Sequence, residues 1–479
     1  MRVLYILSAL FLFWFPVKAQ KVTVSPDISI RSDFAFHVIG SIDDRILLFK
    51  DNRSDRELFI YDKDLVLQSE RQVNFLDNRA VLFEVVKADT AFATVYGYRD
   101  KSEIILQLDI FSPTAERLDS VELYRDERSY QALRYETVVS QDQSKIALYN
   151  ISEKDKLKIV LIDVAKKELM HRNEYIIGNV NLYTELEQIE LSNDGDFLIL
   201  TERNNFKSSR DKHQASVFWF GPTGTDVKEI LIPLEDIVSN DIHLSVDNKN
   251  KKVGIFGLYD EKRSKESSGY YWVYGQLSQW ANQPIILQAI DPDILFELYG
   301  DQKQKRLENF IVADVLYKYD GTPIAILEME ANVSRQGATA TNLNTRNSNF
   351  DRSYTGWSDH YNEDIVVLSL DNTGQRDWHQ VFYKKQYSQN DQGIYSSFFP
   401  FKTPSRVRLL YNDEIKANST VSEYIFDGAG NFKRTSVLST EYQNLRLRFK
   451  DALQISNTAL LVPSQKSYVL NLVKIDYTR

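Results

Sequence analysis

Eight times along this chain a short apolar run is followed, across a polar interval, by a second run of the same kind. The first members begin at Arg45 (RILLFK), Ala91 (AFATVY), Lys145 (KIALYN), Phe197 (FLILTE), Lys252 (KVGIFGLY), Ile324 (IAILEME), Val407 (VRLLYND) and Ala459 (ALLVPS). Their partners include ELFIYD ending at Asp62, KIVLID at Asp163, SEYIFD at Asp427 and LNLVKID at Asp476. Five of the seven intervals between successive first members lie between 45 and 55 residues, and the two longer ones flank the sixth repeat. β-Branched and aromatic residues dominate the runs and turn-rich segments bound them, so the runs are strands. A period near 50 residues is what a blade of four antiparallel strands needs. The other two strands of each blade are fainter: an outer one such as KELMHRNEY or VKEILIPL, and an inner one such as FAFHVIGS or YETVVS.

The turn between the inner strand and the first apolar run repeats too. It reads Ser41-Ile42-Asp43, Ser140-Gln141-Asp142, Ser192-Asn193-Asp194-Gly195 and Ser245-Val246-Asp247. Asp or Asn at such a place bonds the backbone two residues on, and Gly195 is free to take a positive φ, so the triplets are turn chemistry. This Ser-x-Asp-(Gly) turn between apolar strands resembles the repeat of TolB-type and WD-type β-propellers. The resemblance implies architecture only, since that fold hosts enzymes, scaffolds and lectins alike. The Gly-His and Trp-Asp dipeptides of the WD type are missing from the expected places. The fold expected is therefore all-β: a β-propeller of about eight four-stranded antiparallel blades, with seven as the alternative. The eighth repeat stops after its third strand, and Lys21 to Ile30 (KVTVSPDISI) is left over at the other end. The N-terminal strand is expected to complete the last blade and remove the open edges.

A second resemblance lies in Asp364 to Asp413. Trp378, Lys385, Gln386, Tyr395-Ser396-Ser397 and Tyr411-Asn412-Asp413 make this stretch similar to a segment of uncharacterised exported bacterial proteins of propeller-like build, a group that implies no activity. Trp378 and Tyr411 read as blade-packing residues.

The first nineteen residues form a different kind of segment. Arg2 precedes the apolar run Val3 to Phe15, and Val17-Lys18-Ala19 places small residues at −3 and −1 of a cleavage site. Residues 1–19 are thus expected to be a signal peptide cleaved after Ala19, and 20–479 a single propeller domain. The run is shorter than the roughly 20 residues that a bilayer span needs, and no later segment is longer, so the mature chain has no expected transmembrane segment. There is no Cys, which removes disulfides, thiolate metal sites and lipoprotein acylation together. A disulfide-free exported chain of this size suits a bacterial envelope, either periplasmic or released. The net charge of −9, with Lys and Arg scattered, offers no footprint for nucleic acid.

Two segments interrupt the period. IDPDILFELYGDQKQKRLEN carries a short helix within 291–309, with Asp291 as cap and Pro292 at the first helical position, packed outside blades five and six. Residues 331–363 form a long polar insertion in the sixth repeat. In a propeller, the loops joining second to third strands open on one face together with the connections between blades. Three of these are enlarged in consecutive repeats, over 203–214, 260–268 and 331–363, and mark one sector of that face as the candidate interaction site. Candidate contacts there are Arg203, Arg210, Lys212, Phe350, Tyr354, Trp357 and Tyr361, the aromatics suiting a protein partner or stacking on sugar rings. Asp359, His360, Glu363 and Asp364 are a local oxygen and imidazole cluster, but they lack the spacing of a calcium loop and the His or Cys count of a zinc site. The six His form no HExxH, and no Gly-x-Ser-x-Gly elbow or Gly-rich phosphate loop occurs, so neither a cofactor nor a catalytic residue is expected. The functional expectation is an exported, non-catalytic interaction module for another envelope protein. The alternative is carbohydrate binding or processing through aromatic loops and carboxylates of the central pocket.

Overall fold

The computed structural model describes residues 20–478 apart from 31–34, 53–54, 127–133, 206–211, 235–236, 262–265, 302, 335–357, 416–419, 439–441 and 443. Eight antiparallel blades follow one another around a ring. Seven are contiguous in sequence. Blade 1 runs from the inner strand Ala35–Ile42 to the outer strand Leu67–Gln72, blade 2 from Val81–Ala88 to Arg117–Asp126, and blade 3 from Glu136–Val139 to Glu168–Ile176. Blade 4 runs from Leu186–Leu191 to Val227–Ile232, and blade 5 from Val238–Asp247 to Ile286–Ala289. Blade 6 runs from Phe310–Tyr317 to Arg376–Phe382, and blade 7 from Phe398–Lys402 to Phe432–Ser436. The count is eight and not seven, because both the first and the last repeats form full blades.

The continuous apolar runs have a direct cause. Side chains alternate across a strand, and the second and third strands of every blade are covered on both sides. In blade 4, Phe197 and Ile199 face blade 3 while Leu198 and Leu200 face blade 5. Eight apolar clusters result, one in each seam of the ring. The inner and outer strands intersperse polar residues among those that enter the seams, so their sequences are mixed and their signal is weak.

The ring closes through the N-terminus. Lys21–Val24 pairs antiparallel with Val469–Asp476, with Val22 opposite Ile475, and supplies the outer strand of blade 8. Val22 and Val24 lean on the cluster between blades 7 and 8, and Gln20 Nε2 donates to the Ser436 and Val437 carbonyls of blade 7. A chain starting at Ser25 keeps the pairing of Ile28 and Ser29 with Leu470 and Val469 but leaves Val473–Asp476 unpaired, and a bare strand edge templates association. Its expected behaviour is a lower unfolding temperature and self-association that grows with concentration. An equally stable, monomeric truncated chain in thermal scans and size-exclusion runs would contradict this role for the strand.

The repeated turn works as its residues imply in blades 3 and 4. Ser144 N donates to Asp142 Oδ1 at 3.0 Å, Asp196 N to Ser192 Oγ at 2.8 Å, and Gly195 sits at φ +97°. In blade 5 the strand runs through Ser245-Val246-Asp247, and the turn follows it. These turns also join blades: Asp142 N donates to Asn193 Oδ1, and Asn193 N to Asn248 Oδ1. Blade 5 makes room for its rings with glycine, since a Cβ at Gly257 would land inside the Tyr271 ring.

The helix forms at Pro292–Tyr299, where Asp291 Oδ1 accepts from Asp293 N at 2.9 Å and Gly300 ends it at φ +67°. Ile294 and Leu295 enter the cluster between blades 5 and 6, and Arg376 on the outer strand of blade 6 pairs with Asp291 at 2.6 Å. Among the described residues no helix is long and apolar enough to cross a membrane.

Candidate functional site

Strand direction fixes which loops share a face. The connections between second and third strands and those between blades open on one side of the ring, and the tight turns open on the other. The first side carries the enlarged connections of blades 4, 5 and 6, and the structure corrects the reading of the third. The stretch 331–363 is not a loop throughout, because both its ends are strand. The second strand of blade 6 extends over Pro323–Ser334 and the third begins at Ser358, in register from Glu330 opposite Asn362 to Ser334 opposite Ser358. A further strand, Gln386–Gln389, comes from the connection between blades 6 and 7 and pairs with the same hairpin, Asn362 opposite Gln386 and Asp359 opposite Gln389. A three-stranded ribbon therefore stands on this face. Polar composition hid it: outside a core, alternation has no apolar side to show.

The expected contact residues divide. Tyr361 lies on the ribbon opposite Tyr387, their ring centroids 5.1 Å apart. Arg203 is spent on the scaffold, with Nη1 donating to the Asn179 carbonyl at 2.6 Å and Nη2 3.3 Å from Glu229. Lys212 is exposed at the base of the blade 4 connection, its carbonyl accepting from Asn204 Nδ2. Arg210, Phe350, Tyr354 and Trp357 lie outside the described residues.

The Asp359–Asp364 cluster is divided among separate partners. Asp359 Oδ1 accepts from Tyr387 Oη and Gln389 Nε2, both at 2.8 Å. His360 Nδ1 sits 2.7 Å from Asn332 Oδ1, and burial lowers its pKa. Asp364 Oδ1 accepts from Lys384 N at 3.1 Å, and burial pushes its carboxyl up. Glu363 is half-buried on the same strand. Among the described residues no three His, Asp or Glu side chains are grouped to hold a metal ion.

Beneath the ribbon lies a buried polar lock that the sequence did not disclose. Glu328 on the second strand of blade 6 and Lys384 just past its outer strand form an ion pair at 2.6 Å, with side chains 1% and 0% exposed. Burial lowers the Lys384 pKa, against the pull of Glu328. Every arm of the pair continues. Lys384 Nζ donates to the Asn362 carbonyl and to Gln386 Oε1. Glu328 Oε2 accepts from Ser397 Oγ at 2.6 Å and Asn362 Nδ2 at 3.2 Å. Gln386 takes both the N–H and the carbonyl of Ser397 and donates to the Asn412 carbonyl. Ser397 is held at φ +66°, a conformation that costs a non-glycine residue roughly 1–2 kcal/mol. Asn412 Nδ2 then donates to the carbonyls of Tyr395 and Leu447, reaching the connection to blade 8. Gln386, Tyr395, Ser397 and Asn412 were marked by resemblance, and their structural role is to hold blades 6, 7 and 8 under the ribbon. Trp378 and Tyr411 do pack blade on blade. The available sign of the lock was Glu328, a charge inside the apolar run IAILEME.

Around the ring axis a second pattern appears. The inner strands of blades 2, 4, 5 and 6 each break register with a bulge just before a polar residue: Glu84, Gln188, Asp241 and Asp314. Each reaches the next blade. Glu84 accepts from Thr137 Oγ1, Gln188 bonds both N and O of Leu244, Asp241 accepts from Val312 N, and Asp314 lies 3.7 Å from Lys402. Glu190 is different. Gln188 Nε2 meets it at 2.8 Å, and burial, aided by the Asp314 charge, pushes its carboxyl up to about 7 against Gln188 and Lys402.

No protein-family model and no curated protein matches the chain. Solved structures do. An uncharacterized protein from Listeria monocytogenes EGD-e is similar over 73% of this chain and 80% of its own, at 9% identity and a TM-score of 0.36. A europium-containing methanol dehydrogenase is similar over 95% of this chain and 93% of its own, at 9% identity and a TM-score of 0.41. The β-propeller domain of the Trilobed protease from Pyrococcus furiosus, described as having an open velcro topology, is similar over 89% and 98%, at 9% identity and a TM-score of 0.35. At these values the similarities add nothing to the eight-bladed β-propeller that the strand topology itself establishes.

Proposed function

We propose that the protein is an exported, non-catalytic binding module of the bacterial envelope, and that a protein partner engages the face built by the connections of blades 4 to 6. The observation that carries this reading is the ribbon: two blade strands prolonged beyond their sheet, joined by a third from the next connection, and seated on a buried lock. A platform ordered before binding costs a partner less entropy than a loose loop. Asn332 and Val333 are exposed on it, beside the half-buried Tyr361–Tyr387 pair. Export is supported by the leader-like composition of 1–19.

The test compares the intact chain with one in which 332–361 are replaced by a short Gly-Ser turn, each used to capture partners from the native envelope. The expected result is loss of one stoichiometric protein with the shortened chain. An unchanged partner set contradicts the site. No partner with either chain contradicts the protein-partner reading, and glycan arrays then test carbohydrate binding.

A further inference from the structure

The bulge in the inner strand of blade 5 is a junction for three blades. Ser239 N donates to His213 Nδ1 at 3.1 Å, and His213 stands at the base of the blade 4 connection, just before the strand Gln214–Phe220. Asn240 Nδ2 donates to the Glu266 carbonyl at 2.6 Å and to Ser267 Oγ at 3.0 Å, in the blade 5 connection. Asp241 Oδ2 accepts from Val312 N of blade 6 at 2.6 Å. Three consecutive residues thus tie together the bases of two enlarged connections and the blade that bears the ribbon.

One member of this junction is a histidine, the side-chain type that serves as a proton-operated switch. A backbone N–H only donates, so His213 Nδ1 must be the bare nitrogen, and the ring proton sits on Nε2, 3.2 Å from Glu202 Oε1. The His213 and Glu202 side chains are 1% and 7% exposed. The groups around them are fixed. Glu202 Oε2 accepts from Asn205 Nδ2, Ser239 Oγ lies 2.8 Å from Tyr271 Oη, and Asp241 is bound to Val312. Burial, with the Glu202 and Asp241 charges, holds the Tyr271 phenol well above its ordinary pKa, so it stays neutral.

We propose that His213 is a proton-operated latch between blades 4 and 5. At neutral pH its bare Nδ1 holds the Ser239 N–H and closes the seam under the two connections. On acidification a solvent proton adds to Nδ1, the ring becomes an imidazolium facing Glu202, and two N–H donors point at each other where a hydrogen bond had been. The Ser239 contact must then open, and the bases of both connections are released together. The latch is a property of the fold, whether or not a partner docks on this face.

The test is amide hydrogen exchange at Ser239 and in the peptides at the bases of the two connections, at pD 8 and pD 5, with intrinsic rates divided out. The wild type is compared with His213→Asn, whose side-chain carbonyl can accept in place of Nδ1 and does not titrate. The expected result is a loss of protection of at least tenfold at pD 5 in the wild type, absent from the variant. Equal protection at both values, or the same loss in His213→Asn, overturns the latch. The wild type also supplies a readout that needs no variant, the imidazole nitrogen shifts of His213. A proton on Nε2 alone at pH 8 and on both nitrogens at pH 5 supports the latch, and a neutral ring at pH 5 overturns it.

Discussion

Replacing Lys384 with methionine is expected to lower stability by about 3–5 kcal/mol, because it strands the Glu328 carboxylate at a site closed to solvent. The ion pair spans 2.6 Å with both side chains essentially unexposed. Methionine fills the space of the lysine stem but donates nothing to Glu328, Gln386 Oε1 or the Asn362 carbonyl. The loss is therefore the desolvation of an unpaired charge and not that of a surface contact, for which about 1 kcal/mol or less would be the scale. Denaturant titration reads the effect as a shift of the midpoint. Adding Glu328→Gln to Lys384→Met removes the stranded charge and keeps acceptance from Ser397 and Asn362, so the double variant is expected to recover most of the loss. A single variant within 1 kcal/mol of wild type, or a double variant no better than the single, would contradict the lock.

Glu190→Gln is expected to act in the opposite direction and to stabilise the protein by roughly 2–3 kcal/mol at pH 8. The sign follows from linkage. The Glu190 carboxyl is raised from its ordinary 4.5 to about 7 in the fold, so the folded state holds the proton that the unfolded chain releases. Below pH 4.5 both states are protonated and nothing is lost. Between 4.5 and 7 each pH unit removes up to about 1.4 kcal/mol of stability, and above 7 the full cost remains. Partial wetting at the axis trims that total, which gives the smaller figure. Gln keeps an acceptor for Gln188 Nε2 and carries no charge toward Asp314. Equal stability of the two chains at pH 8, or a gain that persists undiminished at pH 4.5, would contradict the assignment.

How far the sequence discloses this molecule depends on whether a residue's neighbours are local. The second and third strands are covered on both faces, so FLIL, from Phe197 to Leu200, and VFWF, from Val217 to Phe220, are apolar without interruption and can be read directly. The Ser-x-Asp turns bond within themselves, and Gly195 carries its own reason. The ribbon is hidden in the sequence because Glu330 to Ser334 and Ser358 to Asn362 are mostly polar, so even the buried Asp359 and Asn362 add to no apolar period. Lys384, Glu328 and Asn412 lie far apart in the chain, and only the ring brings them together. The contact residues Arg203 and Tyr361 illustrate the same limit. One is consumed by Asn179 and Glu229 and the other meets Tyr387, and neither partner is near in sequence.

Whether one face of the ring meets a partner is tested by site-specific photo-cross-linking in the native envelope. A photoreactive side chain is placed at Val333, 47% exposed on the ribbon, and separately at Tyr319, 87% exposed on the opposite face. One discrete protein adduct is expected from Val333 and none from Tyr319. No adduct from Val333, or the same adducts from both positions, would contradict it.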